Sequence, residues 1–439
     1  MGSTAHPMKS MIDQYLSTAR SALTQAPPIG DAAYPRFARC AGAAMERRWP
    51  EIMAANALDA STGLARGLPE PLLRRIRLTA GHLDRMTALA CDVEREFHRA
   101  CEPGRQLSGV GGARARRVPR PLGVLLMIYE ARPTVTIDGT LLPVCAGNAV
   151  LLRGGTEIAA TNKVLGDVFA EALSLAGLPA GMVQVLHDVD RAGLRELMRR
   201  DDAVDVLIPR GSPSLIDFCR RASPIPMIVG GGGVNHLYVH CAADAEMAVR
   251  LVLDGKLPEP EACTALETVL LDHAVADGFL EMLAKHATEP DVRPLVLRVC
   301  ADLLDRLPDD LTARIRCEPM ADSDRGREFL DQTLAVGSVS GLDEAVAYIA
   351  RYGSRHTEGI VTEDAGAADE FCRRVDAAAV VVNGSVRLHD GPTMGLGTEI
   401  AISTGRLHVR GPVTLETLMT YSWRIEGNGA VRFRGGPVN

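Results

Sequence analysis

Apolar positions fall into two textures along the chain. Through residues 8–103 they recur every three or four residues, as in MKSMIDQYLSTARSAL (8–23) and PLLRRIRLTAGHLDRMTALACDVER (71–95), which predicts amphipathic helices. From residue 121 the pattern changes to short continuous apolar runs: PLGVLLMIY (121–129), NAVLLRGG (148–155), MVQVLHD (182–188), VDVLIPRG (204–211) and PMIVGGGG (226–233). Such runs read as strands buried on both faces. Between them lie the helical patterns VTIDGTLLPVCAG (135–147), TEIAATNKVLGDVFAEALSLAGLP (156–179), RAGLRELMRRDD (191–202) and SPSLIDFCRRAS (212–223), the last opened by Ser-Pro. This alternation predicts an α/β fold, a doubly wound parallel sheet with right-handed crossovers that binds ligands at the carboxyl ends of its strands.

A second alternating region begins near Asp254. It runs through ETVLLD (267–272), a helical pattern over 275–287, RPLVLRVCADLL (293–304), residues 334–364 and AAVVVNGSVRLHDG (378–391), and predicts a second α/β domain. The Gly-, Arg- and Pro-rich stretch 102–121 reads as a connector or exposed hairpin. The tail over 408–436 ends in alternating residues around EGNG (426–429), a hairpin signal. An exposed ribbon of this kind suits pairing with a partner subunit.

Composition narrows the classes. A chain of 439 residues is long enough for more than one core. A net charge of −7 leaves no basic footprint for nucleic acid and disfavours a membrane surface. The run RARRVPR (114–120) is short and reads as a solvated hairpin, and PLGVLLMIY is far too short to span a bilayer. Ten cysteines occur without a CxxC pair, and MGSTAHPMKSMIDQYL lacks the apolar stretch of a signal peptide, so reduced thiols in a cytoplasmic protein are expected. No close Cys/His cluster suggests zinc, and no metal is expected.

Candidate chemistry lies at strand ends. No GxGxxG follows the first strand, but glycines follow later ones in RGGTE (153–157), PRGS (209–212) and GGGGV (230–234). Three such loops at successive strand ends suit a dinucleotide, with Arg153, Gly154, Gly155, Thr156 and Glu157 near the adenosine ribose and Pro209, Arg210, Gly211 and Ser212 in the next loop. Arg153 is suited to pair with a 2′-phosphate, which favours NADPH over NADH. A single cysteine, Cys263, sits in the polar stretch KLPEPEACTALETVLL (256–271) ahead of an apolar run. A packing thiol belongs inside the run and a nucleophile in the loop, yet Glu259 and Glu261 are expected to raise the pKa of a thiol placed there.

The pieces PLGVLLMIYEARPTVTIDG, AGNAVLLRGGTE, VDVLIPRG, EACTALET, YGSRHTEGIVTED, VDAAAVVVNGSVR and GLGTEIAISTGRLHVRGP carry a resemblance. Over about residues 50–430 the chain resembles the γ-glutamyl phosphate reductases (glutamate-5-semialdehyde dehydrogenases), a branch of the aldehyde dehydrogenase superfamily. The resemblance implies NADPH-dependent reduction of an acyl phosphate to a semialdehyde, in proline biosynthesis, through a thioester on Cys263. It implies a cofactor domain (1–107 and 122–253), a catalytic domain (254–389), a return to the cofactor domain (390–410) and an oligomerisation arm (108–121 and 411–439) of a homodimer or tetramer. Glu328 matches the glutamate that touches the nicotinamide ribose. Glu130, Arg132, Glu259, Thr264, Asn383 and Arg387 fall in the substrate-side motifs. A reductase activates no water, so a glutamate base is not expected in GGGGV.

Several positions depart from the family pattern. Ala131 and Thr134 replace a hydroxyl and an amide, Glu259 a basic residue, Thr264 an amide and Thr393 a carboxylate. Position 131 matches the oxyanion-binding asparagine of the superfamily, and alanine has no side-chain donor. Glu259 is expected to repel a substrate carboxylate. These departures keep two alternatives open: a paralogue acting on a different acyl phosphate or semialdehyde, and a non-catalytic scaffold for an acyl-phosphate-forming kinase, which is in either case the expected upstream partner.

Overall fold

A computed structural model of the chain describes residues 5–109, 112–292 and 294–431 and turns the helical spacing of the first hundred residues into five helices. These are α1 (Ala5–Gln25), α2 (Ala33–Arg47), α3 (Trp49–Ala65), α4 (Glu70–Ile76) and α5 (Ala80–Ala100). On α2 the buried stripe is Tyr34, Phe37, Ala38, Ala41 and Met45, and on α5 it is Met86, Ala90, Val93 and Phe97. The two stripes meet where the rings of Tyr34 and Phe97 pack tilted by 32°, with centroids 6.0 Å apart. Gly42 lets the helices close, since a Cβ there would lie 3.3 Å from that of Ala90.

The chain then forms β1 (Leu107–Ser108), β2 (Arg114–Pro121), β3 (Val124–Tyr129), α6 (Pro133–Cys145), β4 (Ala149–Gly154), α7 (Ala159–Ala176), β5 (Val183–Val185), α8 (Arg191–Leu197), β6 (Val206–Arg210) and α9 (Pro213–Ala222). Strands β3 to β6 build a sheet in the order β5-β4-β3-β6, parallel throughout. All six residues of β3 are buried, which is why the run VLLMIY shows no alternation. Each fully buried Leu, Ile or Met there contributes roughly 1.5–3 kcal/mol.

The expected strand PMIVGGGG is not formed. Only two isolated bridges occur there, Leu207 to Met227 and Gly230 to Ser403. Pro224 and Pro226 withhold ladder donors, and four glycines give no side chains to pack. The strand is instead β7 (Asn235–Val239), and it enters a second sheet.

That sheet follows from α10 (Ala245–Lys256), β8 (Leu266–Asp272), α11 (Ala276–His286), β9 (Val296–Val299), α12 (Ala301–Leu304), α13 (Asp309–Thr312), β10 (Arg316–Pro319), β11 (Thr333–Val339), α14 (Leu342–Tyr352), β12 (Thr357–Val361), α15 (Ala365–Arg374) and β13 (Ala379–Val382). Its seven strands run β10-β9-β11-β8-β7-β12-β13, again parallel. β10 has no counterpart in the sequence reading.

By internal contacts the chain divides into two units, residues 1–228 with 397–401 and 413–439, and residues 229–396 with 402–412. The first boundary falls ahead of β7 rather than at 253/254, because β7 and α10 pack into the second sheet. Of the segment 390–410, only 397–401 returns to the first unit. The strands β14 (Glu399–Ser403) and β15 (Gly411–Thr414) carry these crossings, and β16 (Met419–Glu426) follows. β16 pairs antiparallel with β2, from Met419 opposite Pro121 to Glu426 opposite Arg114. The hairpin expected around EGNG therefore has its first strand on β2, and its second arm, 432–439, lies outside the described residues. Among the described residues no helix is long and apolar enough to cross a membrane, and no group of three or more His, Cys, Asp or Glu side chains is arranged to hold a metal.

Candidate active site

In the first unit, three loops leave the carboxyl ends of the adjacent strands β4, β3 and β6. Gly154 must be glycine, since a Cβ there would lie 2.2 Å from Nδ2 of Asn162. Arg153 donates from Nη1 to its neighbour's carbonyl at Gly154 (2.6 Å) and from Nη2 to Val189 O (3.4 Å), while its buried Nε has no partner. The guanidinium is thus folded onto backbone rather than held out as a fork. Thr156 is exposed. Glu157 accepts the N–H of Ala131 at 2.8 Å, and its carboxylate fills the space beside Gly155. Ala131 is buried and left-handed, with φ 51°. Glu130, expected at the substrate, accepts the N–H of Ser212 at 2.8 Å, and Ser212 is the cap of α9. A carboxylate there meets the positive end of the helix. Arg132 is exposed at the cap of α6. Burial raises Asp138 to about 6, against the pull of Arg210, the Gly139 N–H and Arg132.

These loops fit a nicotinamide dinucleotide. Gly154, Gly155 and Gly211 add no side chain of their own at the carboxyl ends of parallel strands, with the Glu157 carboxylate beside Gly155 and that of Glu130 beside Gly211. Arg153 and Arg210 each bring a buried Nε without a partner, and Pro209 precedes Arg210 in β6.

In the second unit, Cys263 is half-buried in a turn between α10 and β8. Two successive turns shape it: Ala262 N–H donates to Glu259 O (3.1 Å), and Ala265 N–H to Ala262 O (2.9 Å). Arg387 clasps the front of the turn, with Nη1 on the Glu259 carbonyl (3.0 Å) and Nη2 on its carboxylate. The Glu259 carboxylate is thus paired with a guanidinium. Asn235 holds the back of the turn, donating to Cys263 O (2.8 Å) and Ala265 O (2.7 Å). Gly233 packs against the same carbonyl, and a Cβ on it would lie 1.6 Å from Cys263 O. Thr264 is buried.

Glu328 accepts the N–H of Gly233 at 3.1 Å. Its neighbour Phe329 donates its N–H to Glu267 (3.2 Å), which also takes Lys256 Nζ at 2.8 Å. Both side chains of that ion pair are fully buried. Burial pushes Lys256 down and Glu267 up to about 7, each held back by the other. A second buried pair joins His236 Nδ1 to Glu358 at 2.9 Å, and burial raises Glu358 against the pull of His236. The Asn383 amide is committed to the backbone of Thr362, donating to its carbonyl (2.8 Å) and accepting its N–H (2.9 Å).

Of the residues the sequence singled out, Cys263, Thr264, Glu259 and Arg387 gather around one turn. Glu328 joins the glycine loop beside it. Glu130 and Arg132 lie in the first unit, in the loop between β3 and α6. Sequence reasoning missed Asn235, Glu267, Lys256 and Thr357. The only signal for Asn235 is an amide entering an apolar strand directly after four glycines.

Residues 37–295 match the Aldehyde dehydrogenase family. The γ-glutamyl phosphate reductase of Symbiobacterium thermophilum is 44% identical over 97% of this chain and 100% of its own length. That of Glaesserella parasuis is 42% identical over 89% of this chain and 92% of its own. The crystal structure of the Thermotoga maritima γ-glutamyl phosphate reductase superposes with a TM-score of 0.87 at 31% identity, covering 96% of this chain and 100% of that one. The chain belongs to the aldehyde dehydrogenase family and, within it, to the γ-glutamyl phosphate reductases.

Proposed function

We infer that the chain reduces γ-glutamyl phosphate to glutamate-5-semialdehyde, with Cys263 as nucleophile and NADPH as reductant. The observation that carries this is the near end-to-end relationship to enzymes of that name, 44% identical over 97% of the chain. The Cys263 thiolate attacks the acyl carbon, the bond from that carbon to the phosphate oxygen breaks, and phosphate leaves with the electron pair. When bound, the reduced nicotinamide supplies the hydride that takes the resulting thioester to the aldehyde level. Collapse of the tetrahedral adduct returns the thiolate and frees the semialdehyde. Backbone N–H groups, that of Cys263 among them, serve as donors to the oxyanion. Arg153 reaches a 2′-phosphate by exchanging its bond to Gly154 O. A kinase that forms the acyl phosphate is the expected supplier.

The test is the reverse assay: NADP⁺ reduction with glutamate-5-semialdehyde and phosphate. Turnover is expected in the parent and only a trace in Cys263→Ala, with thermal midpoint and NADPH binding unchanged. Full activity in that variant would sink the covalent route.

A second reading is favoured by one observation, the Arg387 clasp on Glu259, which occupies a cation in the substrate-side motifs. In it, the preferred semialdehyde differs from glutamate-5-semialdehyde in charge or chain length. Glu259→Arg is then expected to raise kcat/KM for the glutamyl substrate relative to its rivals. If the parent already turns over glutamate-5-semialdehyde best, the plain family substrate stands.

A further inference from the structure

The joint between β7 and β8 is irregular at one place. Asn235 lies opposite Leu266 but His236 lies opposite Thr268, so Glu267 is the extra residue of a bulge. Bulges re-aim side chains and gather beside active sites. This one sends two polar side chains in two directions. Glu267 goes to Lys256 and to the N–H of Phe329, next to Glu328. Asn235 goes to the turn that carries Cys263.

The Asn235 amide is fully buried and fully used. Nδ2 gives both its hydrogens, one to Cys263 O and one to Ala265 O, and Oδ1 takes the N–H of Thr357 at 3.1 Å. Two carbonyls on one side and an N–H on the other permit one orientation of the amide only. In a trans peptide unit the C=O and the N–H point to opposite sides. With Cys263 O fixed on Asn235, the Thr264 N–H is directed away from Asn235. With Ala262 O fixed on Ala265 N–H, the Cys263 N–H is directed out of the turn. The peptide planes on both sides of Cys263 are therefore set, and with them the direction of its side chain. Gly233 leaves the carbonyl no room to swing back, because a Cβ at 233 would already overlap it.

We propose that Asn235 is the positioning residue of the reaction: through its two bonds to the turn it aims the Cys263 thiol at the acyl carbon and the adjacent backbone N–H at the acyl oxygen. This rests on Cys263 being the nucleophile. Asn235 touches neither substrate nor cofactor and acts through the turn. No side chain of similar size reproduces the pattern. Aspartate keeps the shape but, ionised, sets a negative charge against two carbonyls, and protonated, restores one of the two bonds. Serine is too short to reach both.

The experiment compares parent, Asn235→Asp, Asn235→Ser and Cys263→Ala. It records kcat, KM for NADP⁺, thermal midpoint, and the alkylation rate of Cys263 without substrate, read by peptide mapping. Both Asn235 variants are expected to lose at least about 30-fold in kcat while KM for NADP⁺ stays within about twofold. The Cys263 alkylation rate is expected to change at least about fivefold. The ratio of Asn235→Asp to parent activity should rise as pH falls from 8 to 6, because protonation restores a donor. Asn235 variants that keep kcat within threefold overturn the proposal. So does a loss that merely follows a lost folded fraction, or one that comes with a tenfold rise in KM for NADP⁺. An active Cys263→Ala variant would instead overturn the nucleophile, and the two failures are read from separate proteins.

Discussion

A threonine hydroxyl has one proton to give, and Thr357 faces two histidines with it. Its Oγ1 lies 2.8 Å from Nδ1 of His356 and 2.8 Å from Nδ1 of His389. When the hydroxyl gives its proton to one ring, the other ring donates its own N–H to the oxygen, a pattern that two neutral rings in opposite tautomers satisfy. Burial, with His389 as neighbour, lowers His356 to about 3, and burial lowers His389 to about 4 against the pull of Asp390. Unfolded histidine binds its proton near 6.5, so between there and about 4 the unfolded chain holds more protons at these sites. Their contribution is complete above about pH 6.5 and is lost as pH falls, by about 1.4 kcal/mol per pH unit and residue. Asp138 and Glu267, raised to about 6 and about 7, act in the opposite sense between their ordinary values and those. The parent curve alone therefore conceals the effect. Replacing both rings (His356→Asn with His389→Asn) exposes it: the stability advantage of the parent should shrink by about 2.7 kcal/mol per unit between pH 6 and 4.5. Denaturant titrations across that range check this, and parallel curves would show that the rings are charged in the fold.

The element that best shows how the cofactor loops are held is α7. Its first N–H groups have no cap of their own and are met by a side chain from α3: Asp59 accepts from Ala160 N (3.1 Å), Thr161 N (2.8 Å) and Thr161 Oγ1 (2.7 Å). Asp59→Ala should cost about 1–3 kcal/mol. Because α7 begins where the loop with Arg153 and Thr156 ends, NADPH binding should weaken more than kcat falls. Asp59→Asn, which keeps one acceptor, should lose less. Denaturant midpoints and a cofactor titration measure both. α7 itself was plain in the sequence, as were β3, β4 and the helical character of residues 8–103, because each shows as local apolar spacing or an unbroken apolar run; the break between α4 and α5 within 71–95 was not. The strand at 235–239 was not, since prolines and glycines before it obscured where the ladder starts. The clasp of Arg387 on Glu259 and the reach of Asp59 across 101 residues were invisible for another reason. They are tertiary bonds between polar residues that local pattern places on the surface. Cys263 stood out through its motif; the bonds of Asn235 to its turn did not.

On the scale of the whole chain, β16 forms the outer strand of the sheet β1-β2-β16 and carries Tyr421, Trp423 and Ile425 at 51%, 48% and 67% exposure. Among the described residues that edge is unpaired, and with large apolar side chains it is expected to be covered by a second copy of this chain. Trp423→Glu combined with Ile425→Lys should yield a smaller species in light scattering, and an unchanged mass would show that the ribbon is not the interface. The same pairing bears on how the protein is born. Arg120 and Ser422, joined across β2 and β16, lie 302 residues apart in sequence. At a synthesis rate of about 5–20 residues per second, β2 leaves the ribosome about 15–60 s before its partner strand exists. During that interval one side of β2 faces solvent and every neighbouring nascent chain. Its sequence, RARRVPRP, suits the wait: four arginines repel another copy, and two prolines deny it ladder donors.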